Sequence, residues 1–104
     1  MGFNMQQMMK QAKMMQKKMA EIQEELKNME FEASAGGGAV RAKVNGEQEI
    51  LEIKLDTEMI GAEDLDMVED MVMVAVNDAL KQSKDEAKNK MSGLTGGMNI
   101  PGML

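Results

Sequence analysis

The feature that most constrains this chain is an unbroken three-four stepping of apolar residues. Met5, Met8, Ala12, Met15, Met19, Ile22, Leu26 and Met29 follow one another at intervals of three or four. The mean step is 3.5 residues, the spacing of a coiled-coil seam rather than of the broader apolar face of a globular helix. No Gly or Pro interrupts residues 4–30, and Asn4 stands where a helix N-cap belongs. A helix of about 27 residues is about 40 Å long at 1.5 Å per residue. A compact domain of about 100 residues has a radius of gyration near 13 Å. In a chain of 104 residues, such a helix projects beyond its own domain with an apolar stripe to cover. Another helix of the chain, a second copy, or both must cover it.

The middle of the chain has period two. Phe31 and Ala33 alternate with Glu30, Glu32 and Ser34; Val40, Ala42 and Val44 alternate with Arg41 and Lys43; Leu51, Ile53 and Leu55 alternate with Glu52 and Lys54. Gly36-Gly37-Gly38 separates the first two runs, and Asn45-Gly46, a hairpin-turn pair, follows the second. This predicts a three-stranded antiparallel meander with one apolar face, covered by helix.

A second helix is predicted from about Ala62 to Met91. Its stripe is Leu65, Val68, Val72, Ala75 and Ala79. Met71, Met73, Val74 and Val76 add apolar surface off that stripe, so the centre of the helix is apolar nearly all round. Helices of that kind are buried on more than one side. One small sheet does not provide two sides, so these four residues are expected to form a self-association surface. Glu63, Asp64 and Asp66 lead the helix, and Lys81, Lys84, Lys88 and Lys90 trail it, in keeping with the helix dipole. The fold class is therefore α+β, with one domain over residues 1–91. Residues 92–104 form a Gly- and Met-rich stretch without periodicity, expected to be a disordered tail.

Composition narrows the chemistry. The chain has no Cys and no His, which removes thiolate chemistry, the commonest metal ligand and the commonest general base. Ser34, Ser83 and Ser92 have no His to activate them. Gly36-Gly37-Gly38 is not followed by Gly-Lys-Ser/Thr, so it fails as a phosphate loop and reads as a hairpin connection. The Glu63–Asp66 run lacks the spaced ligands of a calcium loop. The methionine pairs Met8-Met9 and Met14-Met15 could hold Cu(I) by thioether, but helix packing explains them better. No catalytic residue, metal or cofactor is expected. No run approaches the about 20 apolar residues that span a bilayer, and no signal peptide is evident, so a cytoplasmic protein is the expectation.

The formal net charge of −6 argues at first against a polyanionic partner. Resolved along the chain it does not. Residues 1–43 carry seven basic and five acidic groups, a net of +2; the remainder carries five basic and 13 acidic groups, a net of −8. At 100° per residue Lys10, Lys13 and Lys17 lie together with Gln6, opposite the Met seam. Lys81, Lys84 and Lys88 lie opposite the Val72 stripe. If the two helices run antiparallel, both rows meet at one tip. Either row alone reads as a solvated helix face; two rows at one tip suit phosphate contact.

The order of features resembles the YbaB/EbfC family of nucleoid-associated proteins. The resemblance rests on Met8-Met9-Lys10-Gln11-Ala12, Gln23-Glu24-Glu25-Leu26, Gly36-Gly37-Gly38-Ala39-Val40, Asn45-Gly46, Glu69-Asp70 and Ala75-Val76-Asn77-Asp78-Ala79, in that order, before a Gly/Met/Pro tail. It implies an intertwined homodimer with a central sheet and protruding helices that binds double-stranded DNA in the nucleoid and alters its conformation. No membrane and no small-molecule substrate is expected as a partner. Asp56-Thr57 departs from the Asp-Pro frequent in the family. The family has no strict DNA-contact motif, so the DNA-contacting expectation for Lys10, Lys13, Lys17, Lys18, Lys81, Lys84 and Lys88 rests on charge placement. Two other readings stand beside it. One is a dimeric Met-rich helical scaffold or chaperone-like module that binds protein without DNA affinity. The other is a peripheral membrane binder using the Met/Lys helix.

Overall fold

The computed structural model describes residues 4–94. Helix α1 spans Met5–Asn28, strands β1, β2 and β3 span Glu30–Ala35, Val40–Asn45 and Ile50–Leu55, and helix α2 spans Leu65–Leu94. The long helix, three-stranded sheet and long helix are those predicted. The helix read to Met91 continues to Leu94; the rest of the predicted tail, residues 95–104, lies outside the described residues. The molecule is elongated, 74 × 25 × 16 Å, with a radius of gyration of 20.1 Å.

Asn4 caps α1 as expected, its side-chain carbonyl accepting from the Gln6 amide at 3.0 Å. The sheet order is β1-β2-β3, all antiparallel. Three glycines with φ of 65°, 69° and 99° make the connection from β1 to β2. The β2–β3 connection differs from the two-residue Asn-Gly turn. It spans Gly46 to Glu49, and the left-handed residue is Gln48 at φ 63°. Asn45 ends β2 and organises the loop: its side-chain carbonyl accepts from the Glu47 and Glu49 amides at 2.9 and 3.0 Å, and its amide donates to Glu49 at 2.8 Å. Gly46 is needed for space rather than for φ. A Cβ there would run into the carbonyl of Leu26 in the last turn of α1, to which the Gly46 amide donates at 2.7 Å. At Asp56-Thr57 an Asx turn replaces proline: the Asp56 carboxylate accepts from the Glu58 and Met59 amides at 2.9 and 3.3 Å.

The core lies between α2 and the sheet. Val40, Ala42 and Val44 of β2 and Ala33 of β1 pack against Ala75 and Ala79 of α2. Val40 and Val44 are wholly buried, each contributing about 1.5–3 kcal/mol by burial. The small Ala75 and Ala79 let the helix backbone approach the strands. Leu65, expected on this stripe, is 65% exposed, and the buried line instead runs on to Ser83.

The cover expected over the sheet is incomplete. Ile53 and Leu55 of β3 stand opposite Ala42 and Val40, on the face that packs against α2, yet remain 43% and 47% exposed. A helix is about 10 Å wide and strands are about 4.8 Å apart, so one helix covers two strands and leaves the third open.

Candidate nucleic-acid interface

Three contacts fix how the helices run. Leu26, the buried end of the α1 seam, meets the β2–β3 loop at Gly46. The residue before it, Glu25, pairs with Lys90 of α2 at 3.0 Å. Ser83, near the end of the sheet, bonds the same loop through the Asn45 carbonyl. As α1 is followed backwards, α2 is followed forwards, so the helices are antiparallel. A cleft lined by Lys18, Glu21, Ile22, Glu25, Lys90, Gly93 and Leu94 marks the far end of their contact among the described residues. The Lys90 ammonium is pushed above its ordinary value by its hydrogen bond to Glu25 and the Glu25 charge, with Glu86 adding to both.

Beyond that cleft α1 is exposed. Residues 4–14 are exposed all round, and Met5, Met8, Met9 and Met14 are 74%, 51%, 58% and 53% exposed. Only Met15, Met19, Ile22 and Met29 are half-buried and Leu26 buried, so the seam is covered at its C-terminal end and open at the other. The exposed part of α1, the arm, is a helix of about two and a half turns, some 15 Å long.

Lys10, Lys13, Lys17 and Lys18 are all exposed on this helix, and no ion pair engages them among the described residues. Lys81, Lys84 and Lys88 are exposed on α2. The two rows do not end level. Lys84 and Lys88 fall between the Ser83 and Lys90 contacts, beside the C-terminal half of α1. Lys10 and Lys13 stand farther out. The basic surface is therefore a staggered run along one arm rather than a single tip, because α2 reaches Leu94 opposite the Lys18–Ile22 stretch.

The sheet's cations are committed elsewhere. On its outer face Arg41, Lys43 and Lys54 lie 3.7, 3.8 and 3.6 Å from Glu32, Glu30 and Glu52. These exposed pairs add little stability but leave that face electrically balanced. Among the described residues, the lysines outside these ion pairs lie on the two helices.

Of the four residues expected to mediate self-association, Met73 and Val74 are 62% and 58% exposed. Met71 and Val76 are half-buried against the core, and Met71 lies over Gly36. The open β3 residues Leu51, Ile53 and Leu55 are those expected on the sheet face under a helix, and Ile50 is exposed as well. They add an apolar surface that the alternation alone did not reveal as uncovered. Among the described residues no helix is long and apolar enough to cross a membrane.

The fold and the arm define a small α+β protein with a basic helical projection. The chain belongs to the YbaB/EbfC DNA-binding family, whose pattern it matches over residues 1–98. A nucleoid-associated protein of Clostridium kluyveri is 49% identical over 99% of this chain and 90% of its own length. One of Pelotomaculum thermopropionicum is 47% identical over 100% of this chain and 99% of its own. Among solved structures, an uncharacterised protein of Helicobacter pylori shares the fold, with a TM-score of 0.83 at 24% identity over 91% of this chain and all of that one.

Proposed function

We propose that this chain is a nucleoid-associated protein that binds duplex DNA through the α1 arm and acts by binding rather than catalysis. The observation that carries the reading is the set of exposed lysines Lys10, Lys13, Lys17 and Lys18 on α1, none in an ion pair among the described residues, in a member of a DNA-binding family. Exposed lysines outside ion pairs reach phosphates without breaking internal ones. Lys84 and Lys88 extend the same surface toward the sheet, and Lys81 lies at its base. The acidic middle of the chain repels the phosphate backbone and confines contact to the arms. The protein works in the nucleoid, within the cytoplasm.

The functional unit is a homodimer. The half-exposed apolar face of β3, with its free edge, and the exposed Met73 and Val74 supply the surface for a second copy, with Met71 and Val76 at its margin. Two arms then engage one duplex, and engaging both changes its path. The test is a gel-shift titration on a mixed-sequence duplex. Reversing Lys10, Lys13 and Lys17 to Glu is expected to abolish binding while sedimentation still reports a dimer. Retained affinity would refute the assignment.

A further inference from the structure

We propose that Asn45-Gly46 is a latent deamidation site, held unreactive by the contacts that seat α1 on the β2–β3 loop. Of the asparagines in the chain only Asn45 precedes a glycine. The pair does not serve as a two-residue turn, because the connection runs on to Glu49 and its left-handed residue is Gln48. An Asn-Gly sequence carries a chemistry of its own. The glycine nitrogen, giving up its proton to base, attacks the asparagine Cγ. The Cγ–Nδ2 bond breaks, and ammonia leaves after taking a proton from water. The succinimide so formed adds water at either carbonyl and opens to aspartate or isoaspartate. Water is the only co-reactant, and glycine leaves the approach unhindered because it has no Cβ.

The fold locks both partners of this reaction. Ring closure turns the peptide plane between Asn45 and Gly46 about the Asn45 Cα–C bond, away from the extended conformation of a strand. Asn45 is held in β2 by its pairing with Glu30. The plane itself is bonded at both ends. The Asn45 carbonyl accepts from the Ser83 hydroxyl at 2.7 Å and from the Gln48 amide at 3.2 Å, and the Gly46 amide donates to the Leu26 carbonyl at 2.7 Å. The proton that must leave Gly46 is therefore the one that holds the last turn of α1. The carboxamide is fixed as well: its oxygen accepts from the Glu47 and Glu49 amides, and its nitrogen donates to the Glu49 carboxylate at 2.8 Å. Asn45 is 3% exposed, so base and water reach it poorly. Reaction waits on local opening of the joint between α1, the loop and α2. The product keeps that joint open. A carboxylate in place of the carboxamide has no proton to donate to Glu49 and meets its charge instead. Isoaspartate adds a carbon to the main chain and moves Gly46 off Leu26. The site stands on the loop alone, whether or not α1 contacts DNA.

The experiment incubates the full-length chain at mildly alkaline pH, folded and in urea, and follows the Asn45 peptide by mass spectrometry with isoaspartyl methyl-transfer labelling. Conversion is expected to be fast in urea and slow in the folded chain. Ser83→Ala removes one bond from the peptide plane, and alanine suits the helix, so the variant folds. It is expected to convert about 5–30-fold faster than the folded native chain, the factor by which a lost bond of this kind raises the open population. Val68→Ala truncates a buried side chain near the other end of α2 and is expected to leave the folded rate unchanged, since opening of the joint is local. Equal conversion of the folded and unfolded native chain overturns the lock. An Asn45 peptide that stays intact in urea overturns the site. A Ser83→Ala rate equal to the native one, or matched by Val68→Ala, overturns the assignment of the lock to this joint.

Discussion

The Ser83 hydroxyl donates to the Asn45 main-chain carbonyl at 2.7 Å, and both residues are buried. They are 38 positions apart. Asn45 also holds the β2–β3 loop, and that loop receives the last turn of α1 through Gly46. One hydrogen bond therefore joins α2 to the loop that seats the arm. Ser83→Ala leaves a buried carbonyl with a poorer share of partners. A loss of about 1–2 kcal/mol is expected, read from the shift in urea midpoint at unchanged slope.

Gly46→Ala tests the same joint from the other side. The added methyl meets the Leu26 carbonyl, which belongs to a helix backbone and does not yield as a side chain would. Destabilisation of about 1–3 kcal/mol is expected from urea unfolding, the range of overpacked sites. A variant as stable as the native chain would show that α1 is not seated on this loop.

These joints mark what a sequence does and does not disclose. The strands were legible because Val40, Ala42 and Val44 alternate with Arg41 and Lys43, and alternation depends only on the strand's own geometry. The start of α1 was legible because an N-cap is local chemistry at Asn4. The need for Gly46 was not, since the obstacle is the Leu26 carbonyl, brought there by tertiary folding. Nor was the open face of β3: Ile53 alternates as Ala42 does, and only the width of one helix decides which of them is covered. The basic arm was legible as a set of lysines. The stagger of its two rows depends on where the helices meet, and the Glu25–Lys90 contact is set by the loop rather than by either helix alone.

The Glu25–Lys90 pair makes the clasp between the helices pH-dependent at the alkaline end. Its folded-state pKa is raised above the ordinary 10.5, so its contribution is fully present below 10.5 and is lost as pH rises through the raised value. Lys90→Met removes that component. The difference in urea midpoint between the native chain and Lys90→Met is expected to be constant below 10.5 and to shrink above it. A difference that grows with alkalinity would contradict the assignment.

Self-association through β3 has a direct consequence. Ile53→Asp and Leu55→Asp place a charge on the open face without entering the packed core. Sedimentation equilibrium is expected to show a dimer for the native chain and a concentration-dependent shift toward monomer for either variant, with unchanged far-UV circular dichroism. Native-like dimers from both variants would move the interface away from β3.

The most direct measurement is the salt dependence of DNA affinity. For B-DNA the slope of log Kobs against log[salt] is about −0.9 for each phosphate neutralised. Comparing the native chain with a Lys10→Gln, Lys13→Gln, Lys17→Gln variant on the same mixed-sequence duplex isolates the arm. The expected result is weaker binding and a slope shallower by about 2.7 for each arm in contact. A slope identical to that of the native chain would show that phosphates are neutralised elsewhere and that the free end of α1 is not the DNA-binding surface.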